Sequence, residues 1–343
     1  MGFLAIVFPL AVGFVIVAAK APRSNAAAIP IGYAIQPAKL PHSAEIVHVG
    51  IEPLQIDSIS LADGTFQASF YIWWRWHGHT DPCPATIVNN ASSQASSNYA
   101  TRYEFTNSHG TEIPQPLGNG TFYQAAQVTV GVANAFSVNR FPLDNQTLQI
   151  HIESQYAYNE LVFVPDTGYM SPHPDFEVSG WQVDGTSVQP FVHHYGTNFG
   201  QVAITDAFSA LDYEIQVSRP FTHFLTKLFL PMFIILLAGI SSLFVKTDDF
   251  DVRLAMAGTA LLTLIFLQLG YGGELPPTAP VVVMDEIYAL AYAAVGTTFM
   301  RVVYTTARAH QEADAKSFEK ADHLIAILLG VGFLLGSTLL VLL

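Results

Sequence analysis

The chain has 343 residues, of which 51% are hydrophobic and only 12% are charged, about half the charged fraction of an ordinary soluble domain. The formal net charge of -13 at pH 7 excludes nucleic acid as a partner, because phosphate binding requires a basic surface. The sequence contains one cysteine, Cys83, which excludes an intrachain disulfide and any metal site built from cysteines.

The N-terminal segment has features of a secretory signal. Residues 4–19 form an uncharged apolar run, and the small residues at 26–28 are typical of a cleavage site. We therefore expect residues 1–28 to be a signal peptide that directs the rest of the chain out of the cytoplasm. The basic region that usually precedes such an apolar run is missing, so an uncleaved N-terminal anchor is the alternative.

Residues 29–219 have the pattern of an all-β domain. Short stretches rich in β-branched and aromatic residues alternate with turn residues from Ile46 to Arg219, and no long amphipathic helix interrupts them. Residues 65–76, for example, alternate between apolar and polar positions directly after the Asp63-Gly64 turn. The pattern predicts an antiparallel, immunoglobulin-like β-sandwich.

The remainder of the chain, residues 220–343, predicts an all-α transmembrane domain of four helices. Its apolar stretches are residues 224–245, 252–270, 281–304 and 323–343, each near the length that a helix needs to cross a bilayer. Lys and Arg flank the first and third connections between them but not the second, which predicts that the first and third are cytoplasmic. We therefore expect a multi-pass protein of the inner (plasma) membrane, in contact with membrane lipid, with the sandwich on the extracytoplasmic side.

The second apolar stretch, at helical spacing, places a carboxylate, a methyl, a hydroxyl and three large apolar groups on one face. This face consists of Asp251, Ala255, Thr259, Leu262, Phe266 and Leu269. A ring of identical chains would bring these faces together as a pore with an acidic mouth and an apolar constriction. Alternatively, small residues of this helix only allow close packing against neighbouring helices. Those residues are Ala255, Gly258, Thr259 and Thr263.

Three short strings, in combination with this topology, point to a family. The first is RFPLDNQTL at residues 140–148, the second is Ser218-Arg219 before a span that contains LPM at 230–232, and the third is LPPT at 275–278. In this order and spacing they resemble the pentameric ligand-gated ion channels, the family of the nicotinic and glycine receptors. The resemblance extends from Glu45 to Leu343, and the short third connection is similar to the prokaryotic branch of that family.

The resemblance implies that the turn from Phe141 to Asp144 rests on the membrane domain and couples it to the sandwich. The two cysteines that bracket this turn in animal members are replaced by Ala133 and Thr147, so the disulfide of those members is absent. Asp144 resembles a carboxylate that pairs with an arginine before the first span. The expected coupling residues are Asp63, Arg140, Phe141, Pro142, Asp144 and Arg219. The alternative is that these charges only hold the two domains together.

The family register also implies roles for the face of the second span. Asp251 takes the cytoplasmic selectivity position, with Asp248 and Asp249 able to share its role, and a carboxylate there favours cations. Leu262 takes the position of the central hydrophobic gate. The midsection and the outer constriction are then formed by Thr259, Phe266 and Leu269. Glycines just above the span depart from the family pattern and predict that the helix ends early at its outer mouth; these are Gly270, Gly272 and Gly273.

Agonist sites of this family lie between adjacent sandwiches and are built from aromatic side chains, whose ring faces attract cations. The candidates here are Tyr103, Phe105, Tyr156, Tyr158, Tyr195, Phe199 and Phe208. The 12 histidines make protons the other candidate stimulus. Neither the pair His77 and His79 nor the pair His193 and His194 has carboxylates beside it in the sequence. No metal site and no cofactor are therefore predicted.

These patterns together predict a ligand- or proton-gated, cation-selective channel. The chain would be one of five identical subunits, with inorganic cations and an unknown small-molecule or proton agonist as partners. The alternative is a non-conducting, membrane-anchored receptor or assembly module with the same fold. An enzyme is not expected, because the sequence contains no nucleophile elbow, P-loop or HExxH string.

Overall fold

A computed structural model describes residues 32–34, 40–92, 114–197, 200, 207–309 and 315–342. The chain divides into two compact units. The β unit contains the strands on either side of the loop Ser137–Asp144, and it ends at Ser218. The helical unit contains this loop together with Arg219–Leu343. The predicted signal peptide, residues 1–28, lies outside the described residues.

The β unit is a sandwich of two sheets. Its described strands are β1 (Gly32–Ala34), β2 (Glu45–Ser60), β3 (Thr65–His77), β4 (Thr86–Val88), β5 (Gln115–Gly118), β6 (Thr121–Ala133), β7 (Asn145–Ala157), β8 (Leu161–Pro165), β9 (Glu177–Val178), β10 (Gln182–His194) and β11 (Ala207–Ser218). In this part of the chain, one sheet has the order β1-β10-β11-β7-β4. The other has the order β5-β6-β3-β2-β8, with β9 also paired to β2. Antiparallel pairing dominates, while β8 and β9 run parallel to β2.

Strand β3 shows how the sequence specifies this sandwich. Its residues Phe70, Ile72 and Trp74 are completely buried, whereas Gln67 is exposed, because successive side chains of a strand point to opposite faces. The buried side chains of β3 pack in one core with those of the other sheet, which include Leu148, Ile150, Ile152, Leu211, Ile215 and Val217. Burial of each such side chain contributes about 1.5–3 kcal/mol. The predicted β-sandwich is confirmed.

The helical unit contains four apolar helices in its described residues. They are α1 (Phe221–Phe244), α2 (Phe250–Gly272), α3 (Val283–Ala309) and α4 (Ala315–Leu342). Each is long and apolar enough to cross a membrane, so the predicted order of a β-sandwich followed by four apolar helices is confirmed. Helix α4 begins at Ala315, well before the predicted start at residue 323. The prediction missed its first turns because they carry charged residues such as Glu319 and Lys320, which an apolar pattern does not include.

The outer end of α2 differs from the sequence prediction. Gly270 and Gly272 lie within the helix, which continues to Gly272 instead of ending early. Tyr271 between them is buried, and its ring stacks on that of Phe141 with 6.0 Å between the centroids. The hydroxyl of Tyr271 also donates a hydrogen bond to Asp285. These contacts hold the last turn of α2 in place and offset the low helix propensity of the two glycines.

Candidate functional site

The predicted pore face of α2 is not covered by other parts of the chain that the structure describes. All six of its residues are exposed: Asp251, Ala255, Thr259, Leu262, Phe266 and Leu269. The large apolar side chains of Leu262, Phe266 and Leu269 are 54%, 64% and 68% exposed. A contiguous apolar surface of this kind marks a contact with something outside the subunit, such as lipid, another chain or a dewetted pore.

The opposite face of α2 packs inside the helical unit. Ala260 on this face is buried, and a Cβ added to Gly239 of α1 would lie 2.9 Å from the Cβ of Ala260. The close approach of α1 and α2 therefore depends on a glycine at this position. By contrast, Ala255, Thr259 and Thr263 are exposed. Gly258 is half-buried, and a Cβ added to it would lie 3.8 Å from the ring of Phe299. Packing within the chain thus agrees with Gly258 but does not account for the three exposed small residues.

The first turn of α2 is acidic. Asp248, Asp249 and Asp251 are all exposed, and the helix begins at Phe250 with Asp249 as its N-cap residue. The N-terminus of a helix carries a partial positive charge, so carboxylates are favourable at this end. The chain therefore presents three negative side chains at the end of the uncovered face.

A buried ion cluster lies on the other side of this same helix end. The guanidinium of Arg253 is fully buried, and its Nη2 lies 2.5 Å from Oδ2 of Asp322 on α4. Arg301 of α3 approaches the same carboxylate, with 2.7 Å between its Nε and Oδ1 of Asp322. Arg253 Nε also donates to the backbone carbonyl of Ser242 in α1. We refer to Arg253, Arg301 and Asp322 as the arginine cluster, and it connects all four helices.

Sequence reasoning did not find the arginine cluster. The Lys and Arg residues around the third connection, which include Arg301, indicate only a cytoplasmic flank, and nothing in the spacing of Arg253, Arg301 and Asp322 places them together. The usable signal was Asp322, a carboxylate at the start of an apolar helix, because an ionisable group inside a membrane span needs a partner. The sequence alone, however, does not indicate which residue is that partner, because the partner depends on how the helices pack.

The loop Ser137–Asp144 brings three of the predicted coupling residues together within the helical unit. Asp144 Oδ1 accepts a hydrogen bond from Arg219 Nε at 3.0 Å, and the side chains of this ion pair are 1% and 10% exposed. The Arg219 guanidinium lies 5.0 Å from the ring centroid of Phe141, which is itself fully buried. The carbonyl of Phe141 accepts a hydrogen bond from the backbone N–H of Met284 in α3.

The other predicted coupling residues occupy different surroundings. Pro142 is buried and follows a cis peptide bond with Phe141, and Arg140 is exposed with its carbonyl accepting from the N–H of Leu143. Asp63 lies in the β2–β3 hairpin of the β unit. Its carboxylate accepts a hydrogen bond from the hydroxyl of Ser60 at 2.7 Å.

The predicted ligand residues divide into three groups. Tyr195 and Phe208 lie on the β10–β11 hairpin with 5.6 Å between their ring centroids. Tyr156 packs against the main core of the sandwich, and Tyr158 packs against a small cluster that contains Val192. Tyr103, Phe105 and Phe199 lie outside the described residues.

The β unit contains a histidine cluster that was not predicted from the sequence. Its members lie on β7, β11 and β10 and on the residue that follows β10; they are His151, Glu153, His193, Asp212 and Tyr195. Glu153 Oε2 lies 2.5 Å from His193 Nδ1 and 3.3 Å from His151 Nε2. The Tyr195 hydroxyl donates to Oε1 of the same carboxylate at 2.5 Å. His151 Nδ1 lies 2.7 Å from Asp212 Oδ1.

The two central groups of this cluster shift each other's ionisation. Burial alone would lower the pKa of His151, but hydrogen bonds to Asp212 and Glu153 and their negative charges outweigh it and raise this pKa to about 9. Burial alone would raise the pKa of Glu153, but hydrogen bonds from His151, Tyr195 and His193 outweigh it and lower this pKa. The structure thus favours a protonated His151 beside an ionised Glu153.

The strand register explains why the sequence did not reveal this cluster. His151 and Glu153 are two residues apart on β7 and share a face of the sheet. Across β11, Asp212 lies opposite His151 and Ala210 lies opposite Glu153. The methyl group of Ala210 leaves space above β11, so Glu153 on β7 reaches His193 on β10. Local sequence showed no carboxylate near His193, because the carboxylate comes from another strand.

The second sheet carries an open groove that was also not predicted. Asp166 lies at its centre, with 2.7 Å between its Oδ1 and Nη2 of Arg75 and a hydrogen bond from Trp73 Nε1 to its Oδ2. The Arg75 guanidinium lies over the ring of Tyr169 at 5.2 Å. The groove is lined by aromatic and charged side chains, among them Glu52, Tyr71, Trp73, Arg75, Tyr123 and Asp166.

Comparison with known proteins gives distant relatives. No family model matches the chain. It is 24% identical over 183 residues to the gamma-aminobutyric acid receptor subunit beta of Lymnaea stagnalis, covering 51% of this chain and 34% of the relative. It is 22% identical over 255 residues to the gamma-aminobutyric acid receptor subunit beta-4 of Gallus gallus, covering 71% and 51%. It is 24% identical over 178 residues to the proton-gated ion channel of Gloeobacter violaceus, covering 51% and 46%.

These relatives confirm the predicted resemblance to pentameric ligand-gated ion channels. The matched segments span only 34% to 51% of the length of these relatives. Their names describe receptors and a channel, which agrees with a non-enzymatic protein. With four apolar helices of spanning length, the chain is a multi-pass membrane protein.

Proposed function

We propose that the chain is one subunit of a homopentameric, cation-selective ion channel, in which five copies of α2 surround the pore. The observation that carries this proposal is the uncovered face of α2, on which all six predicted pore positions are exposed. The resemblance to named receptor subunits and a named proton-gated channel supports the same function. One helix cannot enclose a pore, so the proposal requires the assembled ring.

In this assembly, the acidic end of α2 selects the ions. Five copies of Asp251, with Asp248 and Asp249 nearby, would form a ring of carboxylates that concentrates cations and repels anions. The same residues lie at the cytoplasmic end of the pore if the connection between α1 and α2 is cytoplasmic. The outer half, with Leu262, Phe266 and Leu269, would close the pore by excluding water from an apolar constriction.

The stimulus acts on the β domain and is passed to the helices near Asp144 and Arg219. We assign residues 29–219 to an extracytoplasmic ligand-binding domain and residues 220–343 to the pore domain, in the inner membrane and after a signal peptide of residues 1–28. The ion pair between Asp144 and Arg219 is nearly buried, so its loss is costly enough to bias a two-state gate. Serving as a scaffold for this junction is compatible with the same contacts.

A small-molecule agonist would act at the aromatic residues of the β10–β11 hairpin and the end of β7, whereas a proton would act at the histidines. Tyr195 and Phe208 support this proposal because their ring centroids lie 5.6 Å apart on the β10–β11 hairpin. Tyr156, near the end of β7, and Tyr158, just after that strand, are proposed as further members of this set. Tyr103, Phe105 and Phe199 complete the proposed set by resemblance.

Current recording from the reconstituted full-length chain tests the proposal. Asp251→Asn is expected to lower the preference for Na⁺ over Cl⁻, and Leu262→Thr is expected to hold the pore open without stimulus, because a hydroxyl wets the constriction. Glu160→Gln removes an exposed carboxylate of the β unit and serves as the charge-matched control. Unchanged ion selectivity in Asp251→Asn together with unchanged gating in Leu262→Thr would contradict the pore assignment.

The second candidate is a non-conducting receptor or assembly module of the same fold. It is favoured by the bulky Phe266 ring, which is 64% exposed on the proposed pore face and would obstruct a narrow ring of helices. Native mass measurement of the intact complex separates the two functions. A stable pentamer that carries no current over a range of pH, ligands and Phe266→Ala would establish the second.

A further inference from the structure

We propose that the histidine cluster binds a divalent transition-metal ion, with Zn²⁺ the best fit to its donor atoms. His151, Glu153 and His193 each offer one ligand atom, and these atoms lie within 4.8 Å of one another. Two imidazoles and one carboxylate form a zinc-binding set that leaves a fourth position for water or another ligand. The backbone of three paired strands positions all three residues.

The spacing of the donor atoms suits an ion of this size. Ligand atoms about 2.0–2.1 Å from a tetrahedral ion are roughly 3.3–3.4 Å apart, and His151 Nε2 lies 3.3 Å from Glu153 Oε2. His193 Nδ1 is closer to that oxygen, at 2.5 Å, as a hydrogen bond requires. Binding an ion would release the proton of this hydrogen bond and the proton on His151 Nε2 to solvent, because the ion binds neutral imidazoles and an ionised carboxylate. The distance between His193 Nδ1 and Glu153 Oε2 would then increase by less than about 1 Å, which a side-chain rotation can provide.

The groups around the donors prepare them for an ion. Asp212 engages Nδ1 of His151 at 2.7 Å, which directs Nε2 of the same ring toward Glu153. A histidine held by a carboxylate on its far nitrogen is the usual arrangement behind metal-binding imidazoles. The Tyr195 hydroxyl fixes the orientation of the Glu153 carboxylate in the same way. Such supporting contacts are not required of histidines that only fill a surface.

An ion can reach the site from solvent and would connect β7 and β10 directly through their side chains. The side chains of His151 and His193 remain 14% and 18% exposed, whereas Glu153 is 3% exposed. Because Tyr195 belongs both to this cluster and to the proposed agonist wall, a bound ion would also restrain the hairpin at that wall. This effect on gating rests on the proposed channel function, but the binding of the ion does not.

Titration of the purified full-length protein with Zn²⁺, after removal of metals by EDTA, tests the site by calorimetry. We expect one ion per chain in the wild type and affinity at least about tenfold weaker in His193→Gln and His151→Gln. His194→Gln is the matched control, because the next residue of a strand points to the opposite face. Titration with Co²⁺ adds an absorption band that reports imidazole and carboxylate coordination and is lost in His193→Gln.

Two further measurements keep the result decisive. Asp212→Asn retains all three ligands and is expected to weaken Zn²⁺ binding by about 10–100-fold, because Asp212 orients the His151 ring. This variant also tests the site if His151→Gln fails to fold. No binding by the wild type, or equal binding by wild type, His193→Gln and Asp212→Asn, would overturn the site. If the protein binds Zn²⁺ but never conducts ions, the metal site is supported and the channel function is contradicted. If the protein conducts ions but does not bind Zn²⁺, the channel function is supported and the metal site is contradicted.

Discussion

The arginine cluster and the histidine cluster are both buried groups of charges, but their chemistry differs. In the arginine cluster, Asp322 is 1% exposed and lies between two guanidinium groups, which keep their charge at every physiological pH. In the histidine cluster, Glu153 lies between two partly exposed imidazoles, and the pKa of one of them, His151, is raised to about 9 by its carboxylate partners against the opposing effect of burial. The difference indicates that the first cluster holds the helices together, whereas the second is able to respond to the solution.

The two clusters also differ in what they connect. The arginine cluster joins all four helices, and it includes a backbone acceptor at Ser242. The histidine cluster joins strands that are already paired by backbone hydrogen bonds along β7, β11 and β10. Loss of the first should therefore affect folding, and loss of the second should affect mainly its dependence on pH and metal.

The largest effect is expected for Asp322→Asn. This change leaves the buried guanidinium groups of Arg253 and Arg301 without a compensating charge, and the free energy of unfolding should fall by about 3–5 kcal/mol. Thermal unfolding of the purified protein in detergent measures the loss. Glu319→Gln, one helical turn earlier on α4, removes a carboxylate outside the cluster and should change the unfolding temperature little. Equal stability of the two variants would show that the cluster is dispensable.

The ion pair between Asp144 and Arg219 should rank second. Asp144→Asn and Arg219→Gln each leave one nearly buried charge unpaired and should each cost about 2–4 kcal/mol. Because the two groups share one contact, the double variant should cost less than the sum of the single variants. A double-mutant cycle on unfolding measures this coupling. Strict additivity would indicate that the two residues act independently.

The pH dependence of stability sharpens the comparison from the other side. With metals removed by EDTA, His151 has a pKa raised from 6.5 to about 9, so its stabilisation is fully present below pH 6.5 and is lost as the pH rises through 9. The free energy of unfolding should fall across this window by on the order of 1–3 kcal/mol. His151→Gln should remove this slope, whereas Asp322→Asn should retain it. Unfolding temperatures measured at intervals of pH provide the test.

The smallest effect is expected for Arg75→Gln in the groove of the second sheet. The Arg75 side chain is 34% exposed, so water screens its ion pair with Asp166 more than it screens the two clusters. A loss of about 0.5–1 kcal/mol is expected from chemical unfolding. A loss as large as that of Arg219→Gln would mean that burial of one partner alone sets the strength of an ion pair in this protein.

The elements that depend on local pattern were predictable from the sequence. The alternation in β3 and the four apolar stretches follow from side-chain periodicity, and so does the shared face from Asp251 to Leu269. The contact between Asp144 and Arg219 was implied by family strings. The early end of α2 was wrong because glycine propensity was considered without Tyr271, whose ring and hydroxyl contacts hold the last turn.

The two clusters were not predictable, because their members come from separate parts of the chain. Glu153 reaches His193 only through the register of β7, β11 and β10 and the small side chain of Ala210. Arg253 on α2 reaches Asp322 on α4 only because both helices pack against α1 and α3. The local spacing of residues determines neither the register of the strands nor the contacts between helices. A single sequence therefore reveals the individual charged residues but not their partners.

The position of Arg253 has a mechanical consequence for the proposed pore. Arg253 is two residues from Asp251 on the same helix. Its side chain donates hydrogen bonds to residues of the three other helices at that end. In the proposed pore the base of α2 would therefore act as a pivot, and a tilt of the helix would displace Phe266 and Leu269 far more than the acidic rim. Ion selectivity would then stay constant while the width of the pore changes. One helix would thus carry a selectivity filter and a gate that work independently.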